Sequence, residues 1–139
     1  DLTFRTSIIG PELKVNGIGL FHWFMNQKNG IKGFTKAIWS GITTLELAKA
    51  LDWAITNEIT GLYHLTNNKQ INKNELLNLF KKYTNKNIEI EEVDGLKVDK
   101  SFVDTRKLID YEIPGYERMI SDMVRLINNN QNLYSHYFD

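Results

Sequence analysis

The chain has 139 residues, 42% of them hydrophobic, enough for one core: one domain, or one domain with a fragment of another. Its 17 basic and 17 acidic residues cancel to a formal net charge of +0, so no whole-molecule field draws it to nucleic acid or to an anionic membrane. The lack of cysteine excludes disulfides, thiolate metal sites and cysteine nucleophiles, and no apolar run approaches the roughly 18 residues of a spanning helix. With no basic-then-apolar leader, these features predict a globular cytoplasmic chain, neither anchored nor exported.

The first ten residues, ending Phe4-Arg5-Thr6-Ser7-Ile8-Ile9-Gly10, read as a buried strand running into a loop. A strand placed there needs neighbours for its backbone donors and acceptors, so the chain is expected to be the tail of something larger. Ile18, Phe21 and Met25 at helical spacing predict a helix over 18–28, entered through Gly17 and Gly19. Asn29-Gly30 turns the chain into a short strand over 31–35. Thr43-Thr44-Leu45-Glu46 is a capping box, opening a helix expected to bury Leu47, Leu51, Ala54 and Ile55. Leu62-Tyr63-His64-Leu65-Thr66, bounded by Gly61 and Asn67, is rich in β-formers and is read as a strand over 61–66.

Asn72 caps a third helix, with Leu76, Leu79, Phe80 and Tyr83 as its apolar stripe and its lysines on a solvated face. Ile88-Glu89-Ile90-Glu91 alternates as an edge strand with its acids in water, and Asp94-Gly95 turns the chain again. A last helix is expected to begin at Pro114 and to pack through Met119, Ile120, Met123 and Ile127. Helices alternate with strands throughout, which predicts one α/β domain over 1–128 and a frayed tail over 129–139.

The usual signatures of chemistry are missing. Gly17-Ile18-Gly19 suggests a nucleotide loop, but His22 stands where G-x-G-x-x-G needs its third glycine. His22, His64 and His136 have no carboxylates at metal-ligand spacing, so each is read as a packed or surface histidine. Neither Ser7 nor Ser40 lies in G-x-S-x-G, which leaves both as hydrogen-bonding groups rather than nucleophiles. The lysines around Lys81-Lys82 lack interleaved aromatics, which excludes a nucleic-acid face.

Four segments carry a resemblance when read in order. They are Phe4 to Gly10, Ser40-Gly41-Ile42-Thr43-Thr44-Leu45-Glu46-Leu47-Ala48, Gly61 to Thr66, and Ser101-Phe102-Val103-Asp104-Thr105-Arg106-Lys107-Leu108. Together they resemble the C-terminal half of extended short-chain dehydrogenases/reductases, and within that family the nucleotide-sugar reductases of the dTDP-4-dehydrorhamnose reductase type. The resemblance implies an α/β substrate-binding lobe that carries the last strands of a Rossmann-type sheet, 1–10 and 61–66 among them. It also implies a parent enzyme with an N-terminal Rossmann domain for NAD(P) and a Tyr-x-x-x-Lys pair that delivers the proton. Tyr63, Tyr83, Tyr111, Tyr116 and Tyr134 are followed four residues later by Asn67, Asn87, Gly115, Ile120 and Phe138, so that pair is missing and no cofactor is expected for this chain alone. Ile8 replaces the aromatic usual after Arg-Thr-Ser, and Ile38-Trp39 replaces an acid-glutamine pair, which leaves the exact sugar open.

The substrate-binding residues expected on this basis are Thr6, Ser7, Lys36, Trp39, Ser40, Lys100 and Arg106. Thr6 and Ser7 follow a strand at the carboxyl edge of the sheet, where open α/β sheets bind ligands. A diphosphate calls for placed cations: Lys100 falls near the basic residue this family often carries there, with Lys36, Lys97 and Arg106 as further candidates. Trp39 is either a stacking platform for base or sugar or a core aromatic, and Asp104 is read as a cap. The partners expected are a nucleotide sugar, the absent Rossmann domain and a second copy of the chain. An epimerase or dehydratase lobe remains open, as does a non-catalytic interaction module with Phe21, Trp23, Phe24 and Trp39 as its apolar face.

Overall fold

A computed structural model describes residues 1–101 and 110–138. In chain order the elements are β1 (Leu2–Arg5), β2 (Ile8–Ile9), α1 (Leu20–Met25), β3 (Ile31–Phe34), β4 (Ala37–Trp39), β5 (Ile42–Thr43) and α2 (Thr44–Thr56). There follow β6 (Gly61–His64), β7 (Ile71–Asn72), α3 (Lys73–Thr84), β8 (Ile90–Val93), β9 (Val98–Lys100), α4 (Tyr116–Asn128) and a 3-10 helix (Ser135–Tyr137). The result is a mixed α/β fold of small sheets, mostly parallel.

β1 lies parallel to β6 in the register Leu2↔Gly61 to Arg5↔His64, and β2 lies parallel to β5. Parallel strands need a crossover, and here each crossover carries helical and loop segments back over the sheet. At the carboxyl end of the first pair, the Leu65 amide donates to the Arg5 carbonyl at 3.0 Å and the Thr6 hydroxyl donates to the Leu65 carbonyl at 2.8 Å. β3 pairs parallel with β8, while β4 runs antiparallel to β7 and parallel to β9. The core fills the space between these sheets and α1, α3 and α4, with Phe21, Phe24, Phe80, Leu76, Leu77, Met119, Ile120 and Met123 almost without solvent contact.

Several boundaries move from where local pattern places them. α1 stops at Met25 because Asn26 takes over its carbonyls: its side-chain amide donates to the His22 carbonyl at 2.9 Å. α4 starts at Tyr116 rather than Pro114, whose carbonyl is occupied by the Asn67 side-chain amide at 3.1 Å; Gly115 is the N-cap. β8 begins at Ile90 because its register is set by β3, Ile31 opposite Ile90, while Ile88 is buried in the core.

The capping box is made, the Thr43 hydroxyl accepting from the Glu46 amide at 3.1 Å. The face of α2 that follows is the expected one only in part: Ala54 is buried and Leu47 half-buried against the core, but Glu46 and Ala50 complete the buried stripe, whereas Leu51 is 40% and Ile55 74% exposed. Small alanines allow close approach to the neighbouring elements, and the buried Glu46 carboxylate accepts from the Tyr111 hydroxyl at 2.7 Å. That burial and that bond push the Tyr111 phenol well above its ordinary value.

The segment expected to fray after Asn128 is pinned to the start of the chain. The Tyr137 hydroxyl accepts from the Glu12 amide at 2.9 Å and lies 2.8 Å from Nδ1 of the buried His22. His136 Nε2 lies 2.7 Å from the Glu12 carbonyl oxygen. The Glu12 carboxylate in turn accepts from the Gly19 amide at 2.8 Å and the Ile18 amide at 3.2 Å, taking the place of a side-chain cap on α1.

Those amides, Gly19 first, hold the Glu12 carboxyl below its ordinary value of 4.5. A depressed carboxylate stabilises the folded state fully above its unfolded value, and that stabilisation is lost as pH falls through the lower folded value. Glu12→Gln should therefore melt below the parent at pH 7, with the difference shrinking as pH drops from about 5 toward 3. Thermal melts across that range check this; a pH-independent difference would contradict it.

Candidate functional site

Ile38 and Trp39 of β4 form the floor of an open cleft of ≈ 550 Å³, with Ile8 and Ile9 of β2, Phe34 of β3, Leu76 of α3 and Val98 of β9 around it. That volume is within the range of small-ligand sites, roughly 300–1,000 Å³. Val98 and Lys100 alternate along β9 and reach the cleft from one face, while Ala37, Ile38 and Trp39 of β4 all border it. Trp39 and Lys100 are register partners, so indole and ammonium stand side by side at the cleft. Trp39 is half-buried, its ring centroid 6.0 Å from that of Tyr116. It is thus both a core contact and a wall of the cleft. Tyr116 is fixed by donating to the Lys69 carbonyl at 2.9 Å, and burial pushes its phenol up to about 12.

Lys73, the first residue of α3, supplies the other charge. Its ammonium lies 5.4 Å from the Trp23 ring centroid and 5.5 Å from that of Phe34. Local sequence places Lys73 correctly on α3 but assigns it to a solvated face. Its aromatic partners come from α1 and β3, and no spacing rule within a helix reveals them.

Charge balance sets this cleft apart. Lys73 and Lys100 line it, and no carboxylate of the described residues lines it with them. A second cleft sets Lys32 and Lys81 against Glu89 and Glu91. A third opposes Lys49 and Arg118 with Glu46, Glu112 and Asp122, and a fourth opposes Lys69 with Asp110 and Glu112. Among the described residues that line these four, only those of the first offer an anion positive charge without an opposing carboxylate, on an apolar bed.

The expected site residues divide. Trp39 and Lys100 line the cleft. Lys36 sits on the turn after β3 and pairs with Asp94 at 3.6 Å. Ser40 is fully buried, beyond the reach of a ligand in the cleft. Thr6 bonds the Leu65 carbonyl, and Ser7 is half-buried with its carbonyl accepting from the Ile42 amide at 2.9 Å; neither lines the cleft. Arg106 and Asp104 lie outside the described residues, and Lys97 is exposed. Of the four aromatics proposed as an interaction face, Phe21 and Phe24 are in the core, which dissolves that face. Among the described residues there is no group of three or more His, Asp and Glu side chains able to hold a metal, and no helix long and apolar enough to cross a membrane.

The parallel pairs, their crossovers and the cleft beside β4 make up a mixed α/β fold that is found in solved structures of larger proteins. No protein-family model matches the chain, and no curated protein does; the likeness is to solved structures. The chain is similar to dTDP-4-dehydrorhamnose reductase from Bacillus anthracis str. Ames in complex with NADP, with a TM-score of 0.72, 16% identity, and coverage of 88% of this chain and 47% of that one. It is similar also to dTDP-glucose 4,6-dehydratase of the same organism in complex with NAD, at TM-score 0.66 and 16% identity, covering 98% of this chain and 47% of that one. A third is UDP-N-acetylglucosamine 4-epimerase from Methanobrevibacter ruminantium M1 in complex with UDP-N-acetylmuramic acid, at TM-score 0.57 and 15% identity, covering 93% of this chain and 46% of that one. The chain spans about half the length of each of these, and at such identities the likeness is one of fold.

Proposed function

We propose that the chain is the substrate-binding portion of an NAD(P)-dependent nucleotide-sugar reductase of the dTDP-4-dehydrorhamnose reductase type, acting in the cytoplasm in deoxysugar synthesis for surface polysaccharide. One observation carries the reading: an apolar cleft with an indole wall and two cations, lined by no carboxylate of the described residues, in a fold shared with nucleotide-sugar enzymes. A nucleotide sugar is a flat base and a sugar joined by an anionic diphosphate, and the cleft presents the complement of each part.

In this reading Trp39 packs on base or sugar, Lys100 faces the diphosphate, Arg106 is a further cation for it, and Thr6 and Ser7 contact the substrate only if the other half of the parent enzyme turns the cleft toward them. Ser40 supports the Trp39 strand from within. The nicotinamide cofactor and the proton-delivering pair belong to that other half, since these 139 residues contain neither G-x-G-x-x-G nor Tyr-x-x-x-Lys. The reductase assignment rests on the four resembling segments; the lobe itself does not dictate whether the parent reduces, epimerises or dehydrates.

The test is an amide NMR spectrum of the chain titrated with dTDP-glucose and UDP-glucose, with free glucose as control. Shifts confined to residues around Ile38, Trp39, Lys73 and Lys100, produced by the sugar nucleotides and not by glucose, are the expected result. A well-dispersed spectrum that neither sugar nucleotide moves would refute the reading.

A further inference from the structure

We propose that Lys73 and Lys100 form a two-cation clamp that reads the diphosphate itself, with Lys73 as its anchored arm; this rests on the nucleotide-sugar reading above. The argument is one of charge left available. Lys36 is engaged by Asp94, Lys49 by Asp122, Lys82 by Glu117, and Lys86 by the Met25 carbonyl. The Lys73 ammonium is held by the π faces of Trp23 and Phe34 instead. A π face attracts a cation without neutralising it or occupying its N–H donors. Lys73 thus keeps its charge and its hydrogen bonds for a ligand.

The half-buried stem of Lys73 and its aromatic bracket also remove rotamer freedom before binding, which lowers the entropic cost of engaging an anion. Lys100 is exposed and without an ion-pair partner among the described residues, and its strand register places it beside Trp39. Two ammonium groups lining one cleft repel each other until an anion enters. A diphosphate offers two negatively charged groups to two cations, whereas a nucleoside offers none. The clamp therefore selects nucleoside diphosphates and their sugars over nucleosides and free sugars.

Isothermal titration of the chain with dTDP, thymidine and inorganic pyrophosphate tests this. Lys73→Gln should weaken dTDP and pyrophosphate about tenfold and leave thymidine unchanged, as expected for loss of one charge-assisted contact. Lys73→Arg should restore dTDP binding to within about threefold, since a guanidinium also stacks on aromatic faces. Lys82→Gln, at a lysine engaged by Glu117 and not lining the cleft, should have no effect. If Lys73→Gln binds dTDP as the parent does, the clamp is overturned and the nucleotide-sugar reading stands. Equal weakening of dTDP and thymidine would assign Lys73 a structural role and overturn it too. A folded parent chain that binds neither dTDP nor pyrophosphate overturns both.

Discussion

Phe80→Ala is expected to cost ~3–5 kcal/mol, the usual range for truncating a fully buried phenylalanine. Phe80 has no solvent exposure and meets Phe21 edge-on with ring centroids 5.1 Å apart and Phe24 at 5.5 Å. Phe21 in turn packs edge-on against Tyr137, centroids 5.7 Å apart. One ring on α3 therefore joins α1 and, through Phe21, the C-terminal 3-10 helix. The lost area and the cavity both count, and the edge-on geometry adds about 0.5–1.5 kcal/mol per aromatic pair. Against a total of roughly 5–15 kcal/mol for a domain, this is about a fifth of the stability or more. Urea denaturation reads the loss directly, and hydrogen exchange at Tyr137 should speed up with it. Phe80→Leu, which fills most of the space, should cost markedly less. A loss below about 1 kcal/mol for alanine would mean that the aromatic cluster does not hold these elements together.

What local pattern reveals here is bounded by how far each side chain's partners lie along the chain. The caps at Thr43 and Asn72 are legible because donor and acceptor sit three residues apart, and both are made as expected. The strands at Leu2–Arg5 and Gly61–His64 are legible from β-forming residues and flanking turns, and their parallel pairing agrees with the resemblance. The stripe of α2 is legible only in part. Leu47, Leu51 and Ile55 are the larger apolar residues, but they lie one position round from Glu46, Ala50 and Ala54, about 100° on a helix. Which stripe turns inward was settled by the close packing that alanine permits and by Tyr111 from a distant segment.

The C-terminal segment misleads for the same reason. Asn-rich polar sequence after Asn128 signals fraying, yet His136 and Tyr137 find their partners at Glu12 and His22, at the other end of the chain. The candidate site follows suit. Trp39 and Lys100 stand out by residue type and family position, while Lys73 becomes visible only once Trp23 and Phe34 are folded around it. Lys36, attractive as a free cation in sequence, is spoken for by Asp94 across the turn.

Gly41→Ala should damage fold and site together. A Cβ at Gly41 would lie 2.1 Å from the Ser7 carbonyl oxygen and 2.1 Å from Cζ2 of the Trp39 indole, distances no side chain tolerates. There are two escapes. The chain at Ser7 can move away, which breaks the 2.9 Å bond from the Ile42 amide and with it the short ladder between β2 and β5. Otherwise the indole can rotate, which removes the cleft's wall and its contact with Tyr116. A rigid carbonyl cannot give as a flexible side-chain tip can, so a cost of about 2–3 kcal/mol is expected, at the upper end for overpacking. Gly115→Ala is the matched control: its φ of −66° suits alanine, nothing lies within 4 Å of the added methyl, and only the N-cap preference is lost, under about 1 kcal/mol. Denaturation midpoints separate the two variants. In whatever fraction of Gly41→Ala remains folded, tryptophan fluorescence should shift and dTDP affinity should fall about tenfold, because the wall on which the base or sugar would pack has moved. A variant as stable as its parent, with unchanged fluorescence, would mean that Ser7, Gly41 and Trp39 do not meet as described. A variant destabilised but with full affinity would keep the packing and remove Trp39 from the binding site.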